Sequence, residues 1–188
     1  MVVPLPPNPG TGLTAVGMDL SNAEGPARQY ACEVASVVHV AYEIRFLFGQ
    51  ILLGSDELDS VLVVRMNQMA ARQLSDSIVA MGKPTLTDIA KTMDVTAIPL
   101  TAITVAPRTM VMVVANIGSV ALSGLETCVD FYYATPFAIR NAEKSRQLAL
   151  DPVVRVDIPT ALFLSIASTL AELTKNMLAT IPGSAEEK

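Results

Sequence analysis

The side chains that could do acid–base, nucleophilic or metal chemistry are few in this chain of 188 residues, and they are scattered. There is one histidine, His39, and two cysteines, Cys32 and Cys128. A zinc site needs about four close ligands in an ordered spacing, which this set cannot supply. Cys–His catalysis lacks an orienting partner, so His39 reads as a half-buried strand residue. The run GSDELD from Gly54 to Asp59 gathers three acids, but without the ligand spacing and glycine position of a calcium loop. No phosphate-cradling glycine loop and no GxSxG nucleophile turn occurs. The expectation is no catalytic residue, no metal and no cofactor, which leans away from an enzyme.

With 51% hydrophobic and only 16% charged residues, the chain holds more apolar surface than one small domain usually hides. Its net charge of −5 with scattered Lys and Arg gives no basic face for nucleic acid. A run without charge, Thr109 to Leu125, sits at the short end of the about 17–25 residues a membrane span needs. It also contains Asn116, Gly118 and Ser119, so no membrane span is expected. The start, MVVPLPPNPG, has no basic region and is broken by prolines, unlike a secretory signal. A reduced, cytoplasmic setting fits two isolated cysteines.

The elements that must position any site read as a repeated unit. VVR occurs at Val63–Arg65 and again at Val153–Arg155. Aligned on it, Ala71 meets Ala161, Leu74 meets Leu164 and Asn67 meets Asp157. Upstream, a smaller offset matches Ser36 to Ser119, Glu43 to Glu126 and Phe48 to Phe131. The difference is an insertion within Ala134 to Leu150, a polar stretch read as a loop. Each copy then reads strand, strand, strand, helix. The first strands span about Tyr30–Val40 and Met110–Ser123. Period-two alternation puts Thr127, Val129, Phe131 and Tyr133 on one face, and by equivalence Ile44, Phe46 and Phe48. Asn67 and Asp157 are the expected helix caps. Glu43 and Glu126 are expected to pair with Arg65 and Arg155 across neighbouring strands.

The fold class expected is α+β, two tandem β-β-β-α units forming an antiparallel sheet covered by helices on one face. Residues 1–27 read as an irregular arm, 28–83 as the first unit and 84–107 as a linker with a short helix near Thr85–Met93. The second unit is expected over 108–181, with a tail at 182–188.

On the same alignment the two helices differ. Arg72, Gln73, Asp76 and Lys83 of the first face Leu162, Phe163, Ile166 and Leu173 of the second, and Leu170 and Met177 extend that stripe at helical spacing. A stripe of this size left in water is unusual for a monomer. Its cover is either the first helix or the same helix of another subunit, and a homo-oligomer contact is the favoured expectation. Tyr132 and Phe137, in FYYATPF, are candidates to line a ligand or peptide groove.

The text RQYACEVASVVHVAYEIRFLFGQIL followed by VVRMNQMAARQLSDSIVAM resembles a bacterial family known as domain of unknown function 3467. Tyr30, Glu43, Phe48, Ala71 and Arg72 fall near that family's strand start, acidic-aromatic strand and helix opening. Cys32 stands in place of an Asn, and Gln68 in place of a Pro. Asn116 and Pro159 mark a more diverged second copy. The resemblance implies no activity. The strands-then-helix order is also similar to subunits of the export chaperone SecB, which implies an oligomer with apolar grooves for unfolded chains. The resulting expectation is a self-assembling interaction protein, chaperone-like or an accessory subunit, with a further protein partner to hold. The alternative is a small-molecule binding or enzymatic protein with its pocket between the two units, marked by polar groups converging on a cleft there.

Overall fold

The computed structural model describes residues 1–4, 20, 24–54, 57–81 and 107–178. The short helix expected at Thr85–Met93 and the tail from 182 lie outside them. In chain order the elements are β1 (Val2–Pro4), β2 (Gln29–Ala31), β3 (Val34–Val40), β4 (Glu43–Ile51), β5 (Leu58–Asn67), α1 (Gln68–Ala80), β6 (Thr109–Val114), β7 (Ile117–Ser123), β8 (Glu126–Tyr133), α2 (Pro136–Ser145), β9 (Gln147–Ala149), β10 (Asp151–Pro159) and α3 (Thr160–Leu178). The class is α+β. None of the helices in this set is long and apolar enough to cross a membrane.

Alternating side chains build two sheets of the same design. One has the order β3-β4-β5-β6 and the other β7-β8-β10-β2. In each, the first three strands are antiparallel and the fourth is parallel to the third. This corrects the expectation of one antiparallel sheet. The strands expected at Tyr30–Val40 and Met110–Ser123 are each broken, and the pieces join different sheets. Backbone hydrogen bonds show the split. Cys32 N–H donates to the Asp157 carbonyl and Glu33 N–H to that of Gly49, while Ala115 N–H donates to Arg65 and Asn116 N–H to Tyr132. Each half therefore lends its leading strand to the other half's sheet, and neither sheet follows the boundaries 28–83 and 108–181.

The residues expected to face inward do so except Tyr133, which is half-buried and lines an open cleft. Ile44, Phe46, Phe48, Thr127, Val129 and Phe131 are buried. Phe131 approaches Phe46 and Phe48 with ring centroids 5.8 and 6.0 Å apart, joining the sheets in one core. The helices complete that core. α1 packs on β7 as well as its own sheet, α3 packs on β3, and the two helices touch each other. At Gly118 a β-carbon would stand 2.9 Å from a Leu74 methyl, so glycine lets α1 approach β7 closely.

Register corrects the alignment of the copies. Phe46 pairs with Val64 just as Val129 pairs with Val156, so the counterpart of Arg65 is Asp157 and not Arg155. Helix α1 is capped as expected, Asn67 Oδ1 accepting from Ala70 N–H at 2.8 Å. Asp157 does not cap. It lies inside β10, which stays paired to β8 through Pro159, and α3 starts at Thr160. The two-residue slip leaves strand faces unchanged but turns a helix by about 200°. The supposed extra stripe is thus the core stripe. Phe163, Ile166 and Leu170 are buried, as their true counterparts Ala71, Leu74 and Ile78 are. Leu162 and Leu173 are half-buried against the same core. Met177 lies on α3, and its side chain is outside the described set. The cover of the described stripe residues is the chain itself.

The arm expected to be irregular begins with β1, which pairs antiparallel with β9. The insertion expected to be a loop is α2, capped by Thr135, whose side chain accepts from Ala138 N–H at 3.1 Å, with Pro136 in its first turn. Tyr132, Ala142, Leu148 and Leu150 form a second small core beneath it.

Leu170→Ala should cost about 2–5 kcal/mol in urea unfolding and leave the sedimentation behaviour of the folded protein unchanged, whereas loss of an interface residue would shift it. Ala41 turns the β3–β4 hairpin at φ 54°, where its twin is Gly124 at φ 60°. Ala41→Gly should therefore stabilise by roughly 0.5–1 kcal/mol in the same assay, relieving the left-handed strain of a β-carbon.

Candidate functional site

A cleft of about 820 Å³ lies between the first sheet and α2. Its floor comes from the β3–β4 turn, from Glu43 and Arg45 on β4, and from Arg65 to Asn67 at the end of β5. Val114 to Asn116 close one side, and Tyr133, Pro136, Ile139 and Arg140 form the wall opposite. Asn116 holds that wall in place, donating from Nδ2 to the Ala134 carbonyl at 2.7 Å and accepting from its N–H at 2.8 Å. The insertion therefore supplies a boundary that the first copy, with its short β4–β5 connection, has no equivalent for.

An ion cluster occupies the floor. Arg65 lies across the Glu43 carboxylate, Nη2 to Oε2 at 2.6 Å with Nε at 2.9 and 3.0 Å from the two oxygens. Arg45 Nε reaches Oε1 at 2.6 Å. The expected Glu43–Arg65 pair is present, with Arg45 as a third member. Hydrogen bonds from Arg65, then Arg45, hold the Glu43 carboxyl below its ordinary value, and Glu43 in turn raises Arg65. The matching expectation for the second copy fails. Arg155 instead forms a two-pronged pair with Asp130 at 2.7 Å, because true register sets Asp130 opposite it and leaves Glu126 opposite Pro159.

The other candidate residues lie elsewhere. Tyr132 is buried under α2, its hydroxyl 3.3 Å from Asp130, and Phe137 is 76% exposed outside the cleft. Neither lines the groove proposed for them; Tyr133 does. His39 is exposed on β3, not half-buried, its Nε2 at 2.9 Å from Gln68 Nε2. Among the described residues no three His, Cys, Asp or Glu groups stand close enough to hold a metal; Asp56 of the acidic run is outside that set. The thiols are guarded. Burial pushes Cys32 up to about 12, and the Cys128 thiol, donating to Asp157 Oδ1 at 3.0 Å, is pushed up to about 11.

Sequence reasoning missed Arg45, Asn116 and Arg140. A Thr-Pro pair opening an Ala-containing segment is a helix-start signal that would have lifted Thr135–Ser145 out of the loop class. No protein-family model matches the chain, and no curated protein is significantly similar to it.

Because the Glu43 carboxyl is depressed in the fold, its stabilising contribution is present above the ordinary value of 4.5 and fades as pH falls below it. Urea midpoints taken from about pH 6 down to about pH 3 should drop less steeply for Glu43→Gln than for the native protein.

Proposed function

We propose that the chain is a non-enzymatic interaction protein that assembles with copies of itself by adding strand to strand at β6. The single observation that carries this is the contrast between β6 and its twin. β2 is three residues long, Gln29, Tyr30 and Ala31, and its middle tyrosine is tied to Ser60 of the opposite sheet at 2.8 Å. β6 is six residues, TMVMVV, without a charge. Met110, Val111, Met112 and Val114 are 58, 43, 47 and 50% exposed. Strand β6 forms one end of its sheet, and among the described residues only β5 pairs with it.

A long, flat, uncharged edge is what proteins ordinarily blunt with charges, prolines or bulges. Among the described residues its outer N–H and C=O groups are unpaired, with apolar side chains on both faces, the pattern used in strand addition. A second β6 is a suitable occupant. Run antiparallel about a twofold axis, the two strands bring Met and Val against Met and Val with no like charges opposed. This places the contact on an edge strand instead of the last helix. The chaperone-like and accessory-subunit readings follow as uses of the same edge for another protein's extended segment.

Sedimentation velocity over a range of concentrations tests the reading. The native protein should associate, and Met112→Lys, with an unchanged far-ultraviolet spectrum, should sediment as a monomer. A native monomer throughout, or a Lys variant that still associates, would overturn it.

A further inference from the structure

The structure assigns the cleft between the first sheet and α2 as a binding site for a small carboxylate with an apolar body, which meets the assembly edge only at Val114. Three guanidinium groups, Arg45, Arg65 and Arg140, face one carboxylate, Glu43, among the cleft-lining residues. The site is locally positive in a chain whose net charge is −5.

The fold does not require this charge. The strand positions equivalent to Glu43, Arg45 and Arg65 in the second sheet are Glu126, Cys128 and Asp157. They form no cation cluster, and the sheet closes equally well. The arginines are therefore a local feature of the end that α2 walls.

Their donors are also partly unspent. Glu43 takes Nε of Arg45, and Nε and Nη2 of Arg65. Among the described residues, both terminal nitrogens of Arg45, Nη1 of Arg65 and the whole Arg140 guanidinium have no acceptor. Glu43 thus fixes two guanidiniums in place and leaves their outer N–H groups available to a ligand, an arrangement suited to two-pronged carboxylate recognition. The apolar part of the lining includes Val114 and Ile139. An acid group against the arginines with an aliphatic or aryl body along these side chains satisfies both parts of the lining. The volume of about 820 Å³ falls in the range of about 300–1,000 Å³ typical of such ligands.

Isothermal titration with octanoate, 1-octanol and inorganic phosphate tests the assignment. Octanoate should bind the native protein saturably at one site per chain, and octanol at least about tenfold more weakly. Arg140→Gln, a change on the exposed face of α2, should weaken octanoate by about tenfold or more, as expected for losing a charge-assisted hydrogen bond. Met112→Lys should bind octanoate like the native protein, which separates this site from the assembly edge. No saturable octanoate binding, equal binding by Arg140→Gln, or saturable phosphate binding without octanoate binding would each overturn the assignment.

Discussion

The structure depends on one shared apolar interior that neither half can close alone. Phe46 and Phe48 from one sheet meet Phe131 from the other, and Val64 and Val156 lie fully buried beside them. Each aromatic contact adds about 0.5–1.5 kcal/mol beyond simple burial. The larger effect is geometric. With the leading strands exchanged, α1 lying on β7 and α3 on β3, separating the halves would strip both sheets of an edge and both helices of part of their cover. The two halves are bound to fold as one cooperative body.

Around that interior the copies are free to differ, and they do so on the outer faces. Where the second sheet sets Asp130 against Arg155, the first has Leu47 against Val63. Where the first gathers Glu43, Arg45 and Arg65, the second has an acid, a thiol and another acid. The backbone is indifferent to these exchanges, since the same pairing pattern holds beneath each. The insertion adds a further difference. α2 buries Tyr132 under its own small core and at the same time raises a wall beside the arginines. One segment therefore both stabilises the second half and creates the cleft at the junction.

Much of the fold was legible from residue order. Alternation marked the hairpins and their inner faces, and Asn67 marked the start of α1. The errors came from a single source, the tempting match of Val63–Arg65 to Val153–Arg155. A slip of two residues is invisible in a strand, whose faces repeat every second residue, so the inward set remained correct apart from Tyr133 at the end of β8. The same slip turns a helix nearly half way round and converts Phe163, Ile166 and Leu170 from core residues into an imagined surface stripe. It also assigns Arg155 to Glu126 instead of Asp130. The cleft was less legible because its lining comes from the β3–β4 turn, the β6–β7 junction and α2, segments with no common local pattern.

Residue order by itself determined the α+β class, the strand faces and the cap at Asn67. These are properties of short windows, set by side-chain periodicity and by the first-turn N–H groups a cap must satisfy. Tertiary structure alone decided which sheet received β2 and β6, which acid Arg155 would meet, and that Arg140 would stand across from Arg45 and Arg65. Those outcomes turn on parallel pairing and packing between distant segments, where the surface left uncovered by one half selects what the other half places upon it.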